Sequence, residues 1–338
     1  MPIEARAVVF TAPNTAQYAS GAPLPVRCPD PGANDVVVQV THSWISNGTE
    51  GSYLRGERIA GDTPRRPGDP APFPIVPGYQ KIGVVEWIGD QVQDIKVGET
   101  VFAAMGKVEG MFSGFGGHIS PSVSPHDQVW KLPGGVDPLA FAGLVLAQVG
   151  YNCGTRAPIQ VGCHAVVIGD GMVGQWAAQT LAWRGAQVAL IGHHEDRLRR
   201  FAPAPNRHVI LTRGAEWVRQ IRALCPDGVD VAVDTVGSIG MTEELLPLMK
   251  RYGHIVSAGF YGTNDRLALQ PLRNGELSVD LVSGWSRQRM DHTRDLIAAG
   301  HLDTLSLITH RFPVERAAEA WHLIATKGES VLGVILDW

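Results

Sequence analysis

The chain has 338 residues, and 29 Lys and Arg against 33 Asp and Glu give it a formal net charge of −4. This length predicts two domains, and the mildly acidic balance without a basic block argues against a nucleic acid partner. Hydrophobic residues make up 44% and charged residues 18%, a composition typical of a globular chain rather than a disordered one.

The first third of the chain is predicted to be rich in strands. Residues 5–10, 35–41, 82–88 and 99–104 alternate or run apolar and β-branched, as strands do. Residues 61–77 between them are rich in Pro, Gly and Arg, which predicts a long loop. The pattern favours a β-rich, partly barrel-like domain.

From about residue 140 the pattern changes to alternating strands and helices. Short apolar runs occupy residues 164–168, 187–191, 208–211, 229–233, 254–258 and 279–282. Helical segments are predicted between several of them, notably at 173–184 and 241–251. Six apolar strands with helical crossovers predict a doubly wound parallel sheet.

The tail is predicted to return to the first domain, because it is too short for a core of its own. It contains a helical stretch at 314–327 and a strand at 331–336. The predicted domains are therefore 1–145 with 291–338, the β-rich domain, and 146–290, the parallel-sheet domain.

Nothing in the sequence predicts a membrane segment, a secretory signal or a metal cluster. The longest apolar stretches, such as 138–149, are too short to span a bilayer, and residues 1–10 lack the pattern of a signal peptide. The four cysteines, Cys28, Cys153, Cys163 and Cys225, are scattered with no CxxC pair, which argues against a zinc knuckle or a disulfide framework. We expect a cytoplasmic protein with no membrane partner.

The strongest local signal is a G-x-G-x-x-G turn between an apolar strand and a helical run. Gly169 permits the tight turn, Gly171 lets a pyrophosphate approach the backbone, and Gly174 lets the helix pack on the strand. Met172 and Val173 belong to the helix N-terminus, whose N–H groups favour a phosphate. The motif in this context predicts a dinucleotide site; the alternative is a turn that binds nothing.

The end of the second parallel strand bears on the choice of cofactor. NAD sites place Asp or Glu there to hold the ribose 2′-hydroxyl. Here the strand ends at Gly192 without an acid, and His193, His194 and Arg197 follow. The basic groups favour a 2′-phosphate, so the sequence predicts NADP, with NAD as second choice if Glu195 turns inward.

Two later turns follow the fourth and fifth strands, at the edge where open α/β sheets bind ligands. We expect cofactor contacts from Thr235 and Val236 in one turn, and from Ala258, Gly259 and Phe260 in the other. The alternative for each is a turn without a ligand.

Taken together, these motifs resemble the medium-chain dehydrogenase/reductase superfamily over nearly the whole chain. The resemblance rests on 75–78 (IVPG), 97–101 (VGETV), the glycine-rich unit and 229–237 (VDVAVDTVG). Within the superfamily, residues 43–50, 75–79 and 110–118 resemble the branch that contains bacteriochlorophyllide dehydrogenases. The resemblance implies a Rossmann cofactor domain, a β-rich catalytic domain and a homodimer. It also implies that Gly284 and Trp285, after the sixth strand, approach the nicotinamide.

The chain departs from the zinc-dependent relatives at all three catalytic ligand positions. Asn47 stands where those relatives have Cys, Tyr79 where they have His, and Gln148 near their third ligand. Amide and phenol groups are poor zinc ligands beside thiolate and imidazole. The four-Cys structural zinc loop is also absent from the sequence, so we predict that the protein binds no zinc.

Without a metal, hydrogen bonds must stabilise the substrate oxygen during hydride transfer. Thr49 matches the family's proton-relaying hydroxyl, and we hypothesise that Thr49, Tyr79 or both donate to that oxygen; the alternative is that Tyr79 only fills the place of the metal. Asn47 and Gln148 are expected to orient a small polar substrate, with Glu50 as a supporting charge.

The sequence thus predicts a zinc-independent NAD(P)-dependent oxidoreductase acting on a carbonyl or alcohol. The alternatives are an enoyl or quinone reductase of the same fold, or a non-catalytic dinucleotide-binding sensor.

Overall fold

The computed structural model describes residues 3–13, 23–201, 203–212, 216–326 and 329–338. The chain forms two compact units, one made of 1–145 with 304–338 and the other of 146–303. Within the described ranges, none of the helices combines the length and apolarity that crossing a bilayer requires.

The strands of the described residues are numbered in chain order: β1 (Ile3–Val8), β2 (Pro23–Cys28), β3 (Asp35–Ile45), β4 (Arg58–Ala60), β5 (Thr63–Pro64), β6 (Lys81–Ile88), β7 (Thr100–Ala103), β8 (Gly106–Lys107), β9 (Phe115–Gly116), β10 (Ile119–Ser120), β11 (Ser122–Pro125), β12 (Val129–Lys131), β13 (His164–Ile168), β14 (Gln187–Gly192), β15 (Arg207–Leu211), β16 (Val229–Asp234), β17 (Met249–Ser257), β18 (Ser278–Leu281), β19 (Ile308–Pro313) and β20 (Gly333–Asp337).

The α-helices of the described residues are α1 (Asn47–Leu54), α2 (Leu144–Arg156), α3 (Met172–Trp183), α4 (Glu195–Leu198), α5 (Glu216–Leu224), α6 (Ile239–Leu245), α7 (Leu269–Asn274), α8 (Arg287–Ala298) and α9 (Ala317–Thr326). Short 3₁₀ helices cover His126–Gln128, Pro138–Phe141, Leu246–Leu248, Leu305–Leu307 and Val314–Arg316.

The first unit is built on a sheet with the order β12-β7-β6-β3-β20-β19, and β11 pairs with β3 beside it. A second sheet has the order β10-β1-β2. The four predicted strands of this third of the chain are confirmed. Strand β3 runs on to Ile45, beyond the predicted end at 41, because its last residues pair with β20 from the far end of the chain. The predicted loop at 61–77 contains only the two-residue strand β5.

The tail returns to the first unit, as predicted, and there it completes the first sheet. β20 pairs antiparallel with β3, in the register Val334 with Ile45, and parallel with β19. The predicted helix at 314–327 begins as a 3₁₀ turn and continues as α9 to Thr326, and residue 327 lies outside the described residues. The predicted boundary after 290 falls within α8, whose Met290 and Ile297 are both buried, so the second compact unit continues to Asp303.

The second unit is built on a parallel sheet with the order β15-β14-β13-β16-β17-β18. All six predicted strands are present, and the doubly wound sheet is confirmed. Alternate residues of β13 enter two separate cores: Val167 packs in one, while Val166 and Ile168 pack in the other. Both faces of the sheet are therefore covered, which explains the continuous apolar runs in the sequence.

One predicted helix of this unit is wrong in its extent. The sequence predicts a helix over 241–251, but α6 ends at Leu245, and after one 3₁₀ turn β17 begins at Met249. Pro247 lies in that turn, and a proline lacks the N–H that continued helix would need. The predicted helix at 173–184 is confirmed as α3, one residue earlier.

Candidate active site

The first unit presents its candidate residues around the start of helix α1. Ser46 precedes the helix, its N–H donates to Glu50 Oε1 at 2.8 Å, and the Glu50 N–H donates back to the Ser46 carbonyl at 2.9 Å. This reciprocal pair fixes the first turn of the helix. Asn47 and Thr49 lie on that turn, so Glu50 holds them in place through the backbone.

Glu50 also forms a fully buried pair with a histidine. Its Oε2 lies 2.8 Å from His118 Nε2, and the two side chains are 1% and 0% exposed. His118 Nδ1 lies 2.8 Å from Ser43 Oγ, which accepts a 2.8 Å hydrogen bond from the indole of Trp338. Because an indole N–H only donates, Ser43 Oγ accepts from Trp338, and the contacts run without a gap from Trp338 through Ser43 and His118 to Glu50.

Two glycines make room for this pair. Gly78 has a φ of +89°, and a Cβ at this position would lie 2.7 Å from His118 Nε2. A Cβ on Gly117 would lie 2.2 Å from the carbonyl carbon of Gly78. A larger residue at position 78 would push the imidazole away from Glu50, and one at position 117 would displace the backbone between Gly78 and Tyr79.

Tyr79 follows directly, and its phenol joins a cluster of hydroxyl groups. The Tyr79 hydroxyl donates to Ser46 Oγ at 2.6 Å and also interacts with the Thr49 hydroxyl. Burial raises the pKa of Tyr79 to about 12, although the hydrogen bonds with Ser46 and Thr49 act in the opposite direction. The phenol is therefore protonated, and able to donate, throughout the neutral range.

The two amides predicted to orient a substrate lie in different units. In the first, Asn47 donates to the carbonyl of Leu332 at 2.7 Å. In the second, Gln148 is fully buried on α2 and donates to the carbonyl of Gly284 at 3.3 Å. Within the described residues, the buried oxygens Asn47 Oδ1 and Gln148 Oε1 accept no hydrogen bond. Each amide thus keeps one unused acceptor, which is costly unless a further donor arrives.

These groups do not fit a zinc ion. Asn47 and Gln148 are neutral amides and Tyr79 is a phenol with a raised pKa, whereas zinc binds thiolate, imidazole or carboxylate. Among the described residues, no cluster of three or more His, Cys, Asp and Glu is arranged to hold a metal.

In the second unit the glycine-rich turn has the geometry of a phosphate cradle. A Cβ on Gly174 would lie 1.9 Å from the Gly169 carbonyl oxygen, so the helix packs directly on the turn. A Cβ on Gly171 would meet no atom within 4 Å, and Gly171 precedes α3 without any side-chain cap. The next residues, Met172 and Val173, begin the helix. Open space over an uncapped helix N-terminus fits a pyrophosphate.

After β14, the predicted basic residues His193, His194 and Arg197 contact Thr212 or Asp170. His193 Nδ1 lies 2.7 Å from Thr212 Oγ1. His194 donates its backbone N–H to Asp170 at 2.7 Å, and Arg197 approaches the same carboxylate at 3.5 Å. Asp170, the residue between the first two glycines of the motif, thus connects the glycine-rich turn to the loop after β14.

Asp234 organises the turn that follows β16. Its buried carboxylate accepts a 2.7 Å hydrogen bond from the Tyr261 hydroxyl. Burial raises the pKa of Tyr261, the hydrogen bond with Ser257 opposes this shift, and Asp234 adds to it. The same carboxylate accepts hydrogen bonds from the backbone N–H groups of Val236, Gly237 and Ser238.

The remaining predicted cofactor residues lie at the ends of these strands. The Thr235 hydroxyl donates to the Ile168 carbonyl at 2.8 Å, which joins this turn to β13. A Cβ on Gly259 would lie 2.0 Å from the Gly237 nitrogen, so the turns after β16 and β17 pack together. Val236 is exposed, and three residues at these strand ends are partly buried: Ala258, Phe260 and Trp285.

Several residues of these sites act through contacts that the sequence does not reveal. No functional role was predicted for Ser46, His118, Asp170 or Tyr261. For Asp170 the sequence did offer an indication, because it is an acidic residue inside the glycine-rich motif. No local pattern links His118 to Glu50, because 68 positions separate them.

Comparisons with known proteins agree with this architecture. The alcohol dehydrogenase GroES-like domain matches residues 32–134, and the zinc-binding dehydrogenase family matches residues 173–299. The chain is 27% identical to 2-desacetyl-2-hydroxyethyl bacteriochlorophyllide A dehydrogenase of Cereibacter sphaeroides, with 93% of each chain covered.

Solved structures share the fold over the full length. A dehydrogenase of Sinorhizobium meliloti 1021 bound to NADP superposes with a TM-score of 0.82 at 20% identity, covering 99% of this chain and 100% of that one. An Escherichia coli CFT073 alcohol dehydrogenase complexed with NADH gives 0.83 at 19% identity, with 99% of both chains covered. The two family matches, the parallel sheet and the glycine-rich turn show that the chain belongs to the medium-chain dehydrogenase/reductase superfamily of NAD(P)-dependent oxidoreductases.

Proposed function

We propose that this protein interconverts an alcohol and a carbonyl compound without zinc, using hydroxyl groups where its metal-dependent relatives use a metal. The observation that carries the proposal is the cluster of Tyr79, Ser46 and Thr49, whose phenol is protonated at neutral pH. A protonated, partly buried phenol is a suitable hydrogen-bond donor to a developing oxyanion.

We assign the substrate to the first unit and the dinucleotide to the second. When bound, the nicotinamide supplies or accepts the hydride. The N-terminus of α3 and the turn from Gly169 to Gly174 would hold the pyrophosphate. Predicted contacts from His193, Thr235, Val236, Ala258, Gly259, Phe260, Gly284 and Trp285 remain part of this proposal.

The protein's own residues handle the proton. Tyr79 or Thr49 gives its proton to the substrate oxygen as the carbonyl is reduced, and water restores that proton. For Tyr79 to do so, its 2.6 Å hydrogen bond with Ser46 reverses, so that the Ser46 hydroxyl donates to the phenol oxygen. Glu50 and His118 are positioning residues, because they fix the backbone turn that carries Thr49. In the first unit, the unused acceptor of Asn47 is suited to a substrate hydroxyl.

The match to the zinc-binding dehydrogenase family is compatible with this proposal. That match covers residues 173–299, which exclude Asn47, Tyr79 and Gln148. It therefore bears on the cofactor fold rather than on the residues that would hold a catalytic metal.

The test is turnover of an aldehyde, ketone and quinone panel with NADH and NADPH, before and after treatment with a chelator. We expect turnover of a carbonyl that survives chelation, and a fall in kcat of roughly 10²–10⁴-fold in Tyr79→Phe. Tyr53→Phe is the matched control, since Tyr53 lies on α1 and its hydroxyl donates to the Gly61 carbonyl instead.

Loss of activity on chelation with recovery on adding zinc would refute the metal-free mechanism. Quinone turnover alone would favour a quinone reductase. Dinucleotide binding without turnover of any compound would favour a sensor.

We further propose a homodimer formed through the edge strand β18. Val279 and Leu281 on this strand are 41% and 75% exposed, which is unusual for large apolar side chains on an unpaired strand edge. Light scattering on the purified protein, repeated with Leu281→Lys, tests this proposal. The cytoplasmic location and the lack of a membrane or nucleic acid partner remain predictions from sequence.

A further inference from the structure

The buried carboxylate of Asp170 lies where the loop after β14 begins. Its side chain is 7% exposed, although it stands in the glycine-rich turn between Gly169 and Gly171. Asp170 Oδ2 accepts the backbone N–H of His194 at 2.7 Å, and His194 Nδ1 lies 3.0 Å from the same oxygen. Arg197 Nη1 lies 3.5 Å from Oδ1.

Asp170 fills the space that a side chain at position 192 would need. A Cβ built on Gly192 would lie 2.4 Å from Asp170 Oδ2, 2.5 Å from its Cβ and 2.6 Å from its Cγ. β13 and β14 are parallel neighbours with Ile168 opposite Ile191, so the residues that follow them are adjacent. The acid missing from the end of the second strand is thus replaced, in space, by an acid from the first turn.

Of the two acidic side chains considered at the end of β14, Asp170 and not Glu195 occupies the position of the missing acid. Glu195, the alternative acid of the sequence analysis, is exposed and pairs with Arg199. The basic side chains that favoured a 2′-phosphate, His194 and Arg197, face the Asp170 carboxylate, whose negative charge offsets that of the Arg197 guanidinium. The loop after β14 therefore carries positive and negative charge side by side and is not a purely basic surface.

We propose that Asp170 selects the ribose of the cofactor, so that the protein prefers NAD(H) to NADP(H). The inference rests on the proposed dinucleotide site, and it reverses the preference that His193, His194 and Arg197 suggested in the sequence. A ribose 2′-hydroxyl donates a hydrogen bond to the carboxylate. A 2′-phosphate would bring negative charge against a buried carboxylate, where repulsion is poorly screened.

The experiment is a titration of the purified protein with NADH and with NADPH, following energy transfer from tryptophan to the bound nicotinamide. We expect NADH to bind at least about tenfold tighter. In Asp170→Asn, which still accepts the His194 N–H but lacks the charge, we expect the affinity ratio to shift towards NADPH by roughly ten- to a hundredfold.

Arg197→Gln and His194→Gln distinguish charge from bracing of the loop. If Asp170 only braces the loop, these variants and Asp170→Asn weaken both nucleotides alike, and the proposal fails. If its charge selects the ribose, removal of a positive group keeps or increases the NADH preference, opposite to Asp170→Asn.

Tighter NADPH binding by the wild-type protein would also overturn the assignment, even if Asp170→Asn failed to fold. Binding of neither nucleotide would instead refute the dinucleotide site itself.

Discussion

The candidate sites of the two units differ in composition: backbone groups form one, and side chains form the other. The glycine-rich turn of the second unit is made of backbone: Gly169, Gly171 and Gly174 act through the absence of side chains and through the N-terminus of α3. The region around Ser46 in the first unit is made of side chains, with Glu50, His118 and Tyr79 joined by hydrogen bonds.

The difference shows how far each site depends on distant parts of the chain. The glycine motif lies within six consecutive residues, so its geometry is encoded locally. In the first unit, Tyr79 and Ser46 are 33 positions apart, His118 and Glu50 are 68 apart, and Trp338 and Ser43 are 295 apart. A site of the second kind exists only when the whole sheet has formed around it.

The largest effect should come from breaking the buried pair of the first unit. His118→Ala leaves the Glu50 carboxylate buried without its ring partner, and we expect it to lower the free energy of unfolding by about 3–5 kcal/mol. Urea unfolding followed by tryptophan fluorescence measures the loss.

Two companion variants sharpen this result. Glu50→Gln keeps an acceptor for the Ser46 N–H and a partner for His118, so we expect a cost of only about 1 kcal/mol. The double variant with Leu at both positions should cost less than His118→Leu alone, because no charge is left unpaired. A cost for His118→Ala as small as that of Glu50→Gln would contradict the view that the pair braces the site.

The glycine-rich turn should respond differently to alanine at its second and at its third glycine. Gly174→Ala places a Cβ 1.9 Å from the Gly169 carbonyl oxygen, so the helix must move off the turn. We expect lower stability and a loss of dinucleotide affinity of more than about tenfold. Gly171→Ala meets no protein atom within 4 Å and has an ordinary φ of −72°.

Gly171→Ala should therefore fold as well as the wild type and lose only affinity for the dinucleotide, since its Cβ projects into the open space over the helix N-terminus. Thermal melting and the nucleotide titration, run on both variants, separate packing from ligand binding. Equal destabilisation by the two alanines would show that Gly171 is a packing glycine and not part of a cradle.

These contrasts explain what the sequence could predict. The central strands of the parallel sheet are predictable, because both of its faces are covered there and their residues are mostly apolar. The edge strand β18 gave a weaker signal, since it contains Asp280 and its Val279 and Leu281 are exposed. The extension of β3 to Ile45 was not predictable, since its partner β20 lies near residue 335. Tyr79 and Thr49 were found as residue types at family positions, whereas Asp170 required the close approach of Gly192 that only the structure displays.

The smallest effect tests a buried amine in the first unit that pairs with no carboxylate among the described residues. Lys81 at the start of β6 is fully buried and donates to the Ala104 carbonyl at 3.4 Å, and burial lowers its pKa to about 7. Between that value and the ordinary lysine value of 10.5, the unfolded chain binds more protons than the folded one, so stability rises with pH. From pH 7 to pH 8 the expected gain in the free energy of unfolding is roughly 1 kcal/mol.

Lys81→Met should abolish this gain and be more stable than the wild type at neutral pH. The exposed control Lys96→Met should keep the wild-type dependence of the free energy of unfolding on pH. An unchanged slope in Lys81→Met would mean that Lys81 stays charged within the folded sheet.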